Sequence, residues 1–373
     1  MRLELGAEDQ RFVDEVRAFL AEHWEGGPVA QGYASAVAAL RDHRAERFLD
    51  ALQARGWGLP TWPEAFGGTG WSARQQLLFE RELADAGAPS TFDIGTGFVG
   101  PLLIQHGSGT QQAEHLPVIA DRKARWSLAV ADAPSRPLTR TDGLLTGEKA
   151  WVTGAASADW LLCFAAGWLV VDARAPGVTV EPVPMMGDTV EVGRVIFEGV
   201  EILPGWRLHE VPEGWQPPAH PATWTRAQRL QLRLDELAAG LDAAEAETPE
   251  WRSVAVDIAA LAGVELRASV AWADGAEYQP LSLASTVRAV EVGQQLSTLA
   301  AGAMGYHALP YPDEHLLSNE GMIGDELALP AVKQMLFDRA WSVHTSMGGG
   351  ASTEQLKNEM AAVVLGLPRD LID

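Results

Sequence analysis

Leu145-Thr146-Gly147-Glu148-Lys149-Ala150-Trp151-Val152-Thr153, with Ala158-Asp159-Trp160 close behind, is the stretch on which the fold turns. It lies within a series of short runs rich in β-branched and aromatic residues, at 126–130, 160–164, 168–171, 178–180 and 192–197. Turn formers such as Thr141-Asp142-Gly143 and Ala175-Pro176-Gly177 separate the runs. Strands spaced this regularly predict a small antiparallel barrel or sandwich in the middle of the chain.

Outward from it, both flanks read as helical. Phe12, Val16, Phe19 and Leu20 fall on one face of an amphipathic helix, and Phe48, Leu49 and Leu52 begin a second that stops at Gly56. A loop punctuated by Gly and Pro runs over 57–71, and Ser72-Ala73-Arg74-Gln75 forms a capping box for a helix carrying Leu77, Leu78, Phe79 and Leu83. On the other side, three prolines within 217–221 forbid a helix. Helical patterns resume at Leu230, Leu234, Leu237 and Leu241, from Val254 to Leu266, and from Ser285 through Leu299 to Met304. Near the end, Ser346-Met347-Gly348-Gly349-Gly350-Ala351-Ser352-Thr353-Glu354 puts a glycine cluster before a helix that restarts behind Ser352. Glycines let a backbone approach a flat or charged ligand, and a fresh helix N-terminus suits an anion, although a turn between two helices explains the same residues. The expected division is helical over 1–123, β over 124–215 and helical over 216–373.

Composition narrows the function. A chain of 373 residues with 47 % hydrophobic and 21 % charged residues has the balance of a soluble globular protein. A net charge of −22 without a basic stripe argues against nucleic acid as a partner. Nothing reaches the ~18 consecutive apolar residues of a membrane span. The N-terminus lacks the apolar region of a signal peptide, so a cytoplasmic location is expected. The single cysteine, Cys163, sits in an apolar run and reads as a small core residue; no metal site is expected.

These motifs resemble those of the acyl-CoA dehydrogenase family. Leu145 to Asp159 is similar to its "L-x-G-x-K-x-W-x-T…A-D" signature, and Phe197-Glu198-Gly199-Val200-Glu201-Ile202-Leu203-Pro204 with Gly214-Trp215 to the segment ending its β domain. The loop and helix over 57–83 resemble its "W…P…GG" element, and Val364-Leu365-Gly366-Leu367-Pro368-Arg369 its C-terminal signature. The resemblance implies an α+β chain of three parts: N-terminal helices, a central β-barrel or sandwich, and a C-terminal helical bundle that mediates oligomerisation. It implies FAD as cofactor and an acyl-CoA thioester as substrate, desaturated between Cα and Cβ. By the same resemblance, Trp151 and Thr153 contact the flavin ring, Ser352 stands on the family's Thr, Glu354 on its Glu and Lys357 on its Arg.

Departures from the family pattern are equally specific. The position that many members use for the catalytic base is Gly350, so no catalytic residue is expected from this chain. Where the family has Thr-Glu-Pro followed by Gly-Ser-Asp, the chain reads Val130-Ala131-Asp132-Ala133-Pro134-Ser135-Arg136-Pro137, a shorter loop in which Arg136 and Arg140 are the candidate replacement cations. The flavin-binding Arg helix is not evident; Arg226 and Arg229 are the nearby candidates for an anion contact. Some bacterial steroid-degrading members are α₂β₂ tetramers in which one subunit lacks the base. The resemblance therefore implies a base-lacking subunit that completes a flavin site shared with a second acyl-CoA dehydrogenase subunit. A self-sufficient enzyme with a relocated base (Glu291, Glu320 or Glu354) and a non-catalytic scaffold of the same fold remain open at this point.

Overall fold

The computed structural model describes residues 5–26, 43–183, 192–212, 214–239, 248–304 and 353–368. Contacts divide the chain into two compact units, one of residues 2–184 with 190–222, the other of 223–373 with 185–189.

The first unit opens with α1 (Ala7–His23), whose Val13, Val16, Phe19 and Leu20 are buried, and α2 (His43–Arg55). α3 (Ala73–Asp85) begins as the sequence predicts: Ser72 Oγ accepts from the Gln75 amide, and the Gln75 side chain accepts in return from the Ser72 amide. The same reciprocal cap, Ser108 with Gln111, starts α5 (Gly109–Ala120), and the short α4 (Gly100–His106) precedes it. Just before α4, residues Gly95–Val99 form a π-helical turn, an irregularity common at functional sites. The indole of Trp62, from the Gly/Pro-punctuated loop, donates to the Thr96 carbonyl within that turn at 2.7 Å.

Two sheets follow. β1 (Trp126–Ala129), β4 (Trp160–Phe164) and β5 (Trp168–Asp172) form one, in the order β1-β4-β5; β2 (Thr139–Thr141), β3 (Leu144–Thr153), β7 (Val192–Glu201) and β6 (Val178–Val183) form the other, in the order β2-β3-β7-β6. The outcome is a sandwich, and it is not wholly antiparallel, because β1 runs parallel to β4. Leu161, Cys163, Leu169 and Val171 meet Leu145, Val195, Phe197 and Val200 between the sheets. On the opposite face, Leu162 and Val170 pack with Leu102, Leu103, Leu116 and Ile119 of the helices. A sheet covered on both faces needs continuous apolar runs, which is why Trp160-Leu161-Leu162-Cys163 shows no polar alternation. By their contacts the N-terminal helices and both sheets fall in one compact unit. Burial pushes the Cys163 thiol up to about 12, despite the nearby Lys149 ammonium, so it behaves as the core residue expected.

In the second unit, α6 (Arg226–Ala239), α7 (Pro249–Ala273) and α8 (Gln279–Met304) share a core of Ala227, Leu234, Val254, Ile258, Leu261, Val292 and Leu296. α8 starts six residues before the expected Ser285, and α7 extends past Leu266 to Ala273. α9 (Thr353–Leu365) packs against α8. Leu241, Glu320 and the glycine cluster lie outside the described residues. Among the described residues no helix is long and apolar enough to cross a membrane, and no cluster of His, Cys, Asp and Glu could hold a metal ion.

Candidate functional site

In the first unit the signature strand β3 is deformed where the chemistry is expected. Lys149 pairs with Val195 and Val152 with Gly193, so Ala150 and Trp151 together face Arg194. That is a bulge, a device that re-aims a side chain. Trp151 takes up the extra residue at φ 54°, and its side chain stays 42 % exposed. A bulky residue in the left-handed region is a costly conformation, held here by the ladder on both sides. Two residues on, Thr153 ends the strand opposite Val192, half-buried. Sequence reasoning selected both residues; the bulge that presents the indole came only with the structure. Of the other expected site residues, Gly350 and Ser352 lie outside the described residues, and Glu354 belongs to the second unit.

The loop after β1 is pinned by β3 from both faces. Lys149 points into the sandwich, is fully buried, and its Nζ donates to the Val130 carbonyl at 2.8 Å and pairs with Asp132 at 2.7 Å. Asp132 also accepts from the Leu138 amide. On the outer face, the buried Glu148 pairs with Arg136 at 2.7 Å and with Arg194 at 3.3 Å. Gly147 (φ 137°) is required at the crossing, because a Cβ there would lie 2.4 Å from the Pro137 carbonyl oxygen. Arg136, one of the two expected replacement cations, is therefore bound to Glu148. The other, Arg140 in β2, has a buried Nη1 without a hydrogen-bond partner.

Sequence reasoning missed a cleft of about 520 Å³ beyond the edge of the three-stranded sheet. Its walls include Phe164, Gly167 and Trp168 of the β4–β5 turn and Arg207, Glu210 and Trp215 of the segment after β7. That segment extends the sheet, with Val170 donating to the Trp206 carbonyl and Leu208 to the Trp168 carbonyl. The rings form a ladder in which Phe98 lies 5.6 Å from Trp168 and 5.5 Å from Trp215, while Phe164 lies 5.2 Å from Trp168. The indole of Trp215 donates to Gln105 at 2.9 Å. The available signal was the Phe-Ala-Ala-Gly-Trp turn, in which two large rings flank residues too small to cover them.

In the second unit, Arg226, a candidate for an anion contact, is engaged within its own bundle. Partly buried, its guanidinium donates to Thr286 Oγ1 at 3.0 Å and is pushed down by desolvation, with the Glu265 charge opposing the shift. Glu265 in turn accepts from the Ala227 amide at the start of α6. Arg226 thus fastens α6 to its neighbours. Glu354, in the first turn of α9, is solvent-facing and pairs with Lys357 at 3.1 Å. Lys357 reaches Glu291 as well, at 3.4 Å, and Arg288 bonds Glu291 from one turn away. These contacts, led by the Glu354 hydrogen bond, hold the Lys357 ammonium above its ordinary range.

A family model for the N-terminal domain of acyl-CoA dehydrogenases matches residues 6–123. Acyl-CoA dehydrogenase IpdE1 of Mycobacterium tuberculosis is 26 % identical over 404 aligned positions, covering 97 % of this chain and 98 % of the relative. Among solved structures, the Tcur3481-Tcur3483 steroid ACAD superimposes with a TM-score of 0.72 at 19 % identity, covering 99 % of this chain and 100 % of its own. The ChsE4-ChsE5 complex from Mycobacterium tuberculosis gives 0.68 at 20 % identity, with 99 % of each chain covered. The chain therefore has the acyl-CoA dehydrogenase fold and carries the N-terminal domain of that family.

Proposed function

We propose that this chain is a subunit of a flavin-dependent acyl-CoA dehydrogenase, that it lacks the catalytic carboxylate, and that it completes a flavin site shared with a partner subunit. The observation that carries the reading is the state of the carboxylates. By the resemblance Gly350 stands at the position of the family's base; of the two described candidates to replace it, Glu291 has both oxygens engaged, by Lys357 and Arg288, and Glu354 has one engaged by Lys357 on an exposed helix start. A general base needs a carboxylate free to reach the substrate's α-proton.

The residues fit half of a flavin site. Trp151, exposed on its bulge, offers a flat apolar face, and Thr153 a hydroxyl beside it, which suits a planar ring bearing polar edge atoms. The pyrophosphate end is poorly served, because Arg136 is paired with Glu148 and the partly buried Arg226 is bonded to Thr286 within its own bundle. A bound flavin would supply the acceptor for the β-hydride. The aromatic cleft, with Arg207 on its wall, suits an acyl-CoA thioester: rings for pantetheine and adenine, a cation for a phosphate. The names of both structural neighbours join two proteins, and one is a steroid ACAD, which supports a heteromeric assembly and a steroid-type acyl group.

The test is the visible spectrum of the chain expressed alone and then co-expressed with an adjacent acyl-CoA dehydrogenase gene. A protein colourless alone but yellow and stoichiometric with the partner is the expected result. A chain yellow alone and bleached by an acyl-CoA is an enzyme in its own right. A chain colourless under both conditions is a scaffold, a reading that the neutralised loop arginine favours.

A further inference from the structure

Two charged side chains, Arg207 and Glu210, stand on the walls of the aromatic cleft, three positions apart in the segment after β7. Both are exposed, and among the described residues neither makes a hydrogen bond or an ion pair through its side chain, even with the other. Acidic residues outnumber basic ones 50 to 28 in this chain, and Arg122, Arg136, Arg174 and Arg194 are each paired with a carboxylate. The cleft therefore presents one cation and one anion to whatever enters it.

The backbone that carries the cation is held from two sides. The buried Gln111 of α5 donates through Nε2 to the Gly205 carbonyl at 2.6 Å and to the Arg207 carbonyl at 3.2 Å, and Leu169 of β5 bridges to Arg207. Across the cleft, Phe164 is 43 % exposed and meets Trp168 at an interplanar angle of 71°, so the two rings do not cover one another. An uncovered ring beside a charge is a platform for a flat heterocycle. The guanidinium fork of Arg207 matches a phosphate. A carboxylate only accepts, so Glu210 calls for a donor on the ligand, and adenine has one in its exocyclic amine. The acyl end of a thioester offers neither phosphate nor amine, and the bond to be desaturated needs a site closed to water, which two exposed charges do not provide.

We infer that the cleft is an adenine-nucleotide site and holds the nucleotide end of CoA, with Arg207 on a phosphate, Glu210 on the exocyclic amine and Phe164 against the plane of the base. The inference rests on the acyl-CoA reading above and adds which end of the ligand enters and which residue reads its base. FAD carries the same adenine and pyrophosphate, so the two carriers are separated by titration.

The test is calorimetric titration of the full-length chain with ADP, inosine diphosphate, CoA and FAD, repeated on its R207Q, E210Q, F164A and R174Q variants. Loss of one charged hydrogen bond predicts that R207Q binds ADP and CoA about tenfold or more weakly. Its melting temperature should match that of the unaltered chain, because the side chain has no partner to lose among the described residues. Loss of stacking in F164A should weaken ADP about fivefold or more. The unaltered chain should prefer ADP to inosine diphosphate about tenfold or more, because the Glu210 carboxylate meets an amine in one and an oxygen in the other. E210Q, whose amide donates as well as accepts, should narrow that preference to about threefold or less. R174Q, whose partner is Asp159, should bind every ligand as the unaltered chain does. Binding of CoA without ADP, or CoA affinity unchanged in R207Q, overturns the inference while leaving the acyl-CoA reading intact. Equal affinity for the two diphosphates overturns the role of Glu210. An R207Q penalty confined to FAD overturns the inference by giving the nucleotide to the flavin. Absence of CoA binding by the unaltered chain overturns both.

Discussion

Replacing Lys149 by methionine tests whether β3 holds the loop over 130–138 in place. The ammonium is fully buried and makes two contacts, to the Val130 carbonyl at 2.8 Å and to Asp132 at 2.7 Å. Hydrogen bonds to a charged group are worth about 1.5–3 kcal/mol each. The Asp132 share is discounted, because that side chain is 44 % exposed and rehydrates once its partner is gone. The Val130 carbonyl loses its ammonium donor, while a buried thioether costs less desolvation than a buried ammonium. The net expectation is a local destabilisation of about 2 kcal/mol, roughly a 30-fold rise in opening. Hydrogen exchange reads it at three amides: Leu138, which donates to Asp132; Ala133, which donates to the Glu148 carbonyl; and Ala150, which donates to the Ala131 carbonyl. Those three should accelerate together while the amides of α1 keep their rates. Unchanged exchange at all three would refute the pinning argument. Equal acceleration in α1 would show that Lys149 supports the whole unit rather than the loop.

Three further perturbations address other links. Substituting Trp151 by glycine relieves a left-handed strain worth about 1–2 kcal/mol but enlarges the unfolded ensemble; thermal stability should stay within about 1 kcal/mol while flavin retention in the co-expressed complex falls, and retained flavin would deny the indole its role. Replacing Glu80 by glutamine alters a fully buried carboxylate that accepts from Ser90 Oγ, Thr91 Oγ1 and the Thr91 amide; a loss of about 1–3 kcal/mol by denaturant unfolding is expected, and a neutral result would show that the loop holds itself. Burial pushes the imidazoles of His115 and His220 down, so below the unfolded value of about 6.5 the unfolded chain binds more protons than the folded one. Their contribution to stability is complete above that pH and declines as pH falls through it toward the folded values; replacing both histidines by glutamine should flatten the melting-temperature profile in this window, and an unchanged slope would place the acid sensitivity elsewhere.

What the sequence discloses is what depends on neighbours along the chain. The Ser72–Gln75 capping box and the five strand segments named from it are local patterns, and the structure has them with ends shifted by a few residues. The parallel pairing of β1 with β4 was not legible, because strand direction within a sheet is decided by the path of the intervening chain. The Trp151 bulge was not legible either: the extra residue exists only in relation to β7, 42 positions on at Gly193. The cleft joins the β4–β5 turn to a segment some forty residues later through a backbone ladder that leaves no mark on side-chain periodicity.

Cations are where local reading was weakest, and they bear most directly on function. A chain of net charge −22 that binds CoA or flavin must set aside positive charge for it, and the sequence shows only which residues carry charge. Arg136 and Arg226 stand in the segments where an anion contact was sought. In the fold, Glu148 pairs with the first, and the second, partly buried, bonds Thr286 near the Glu265 charge. Glu148 and Glu265 are the residues that decide this, and neither had been selected, because a buried carboxylate cannot be told from a solvated one by spacing. With those pairs set aside, the positive charge lining the cleft, among the described residues, is Arg207. A chain so provided can meet one anionic ligand through its own cleft. On the proposed reading, the pyrophosphate of a flavin on Trp151 would take its counter-charge from a second subunit, so the neutralised loop and the glycine at position 350 support the same proposal.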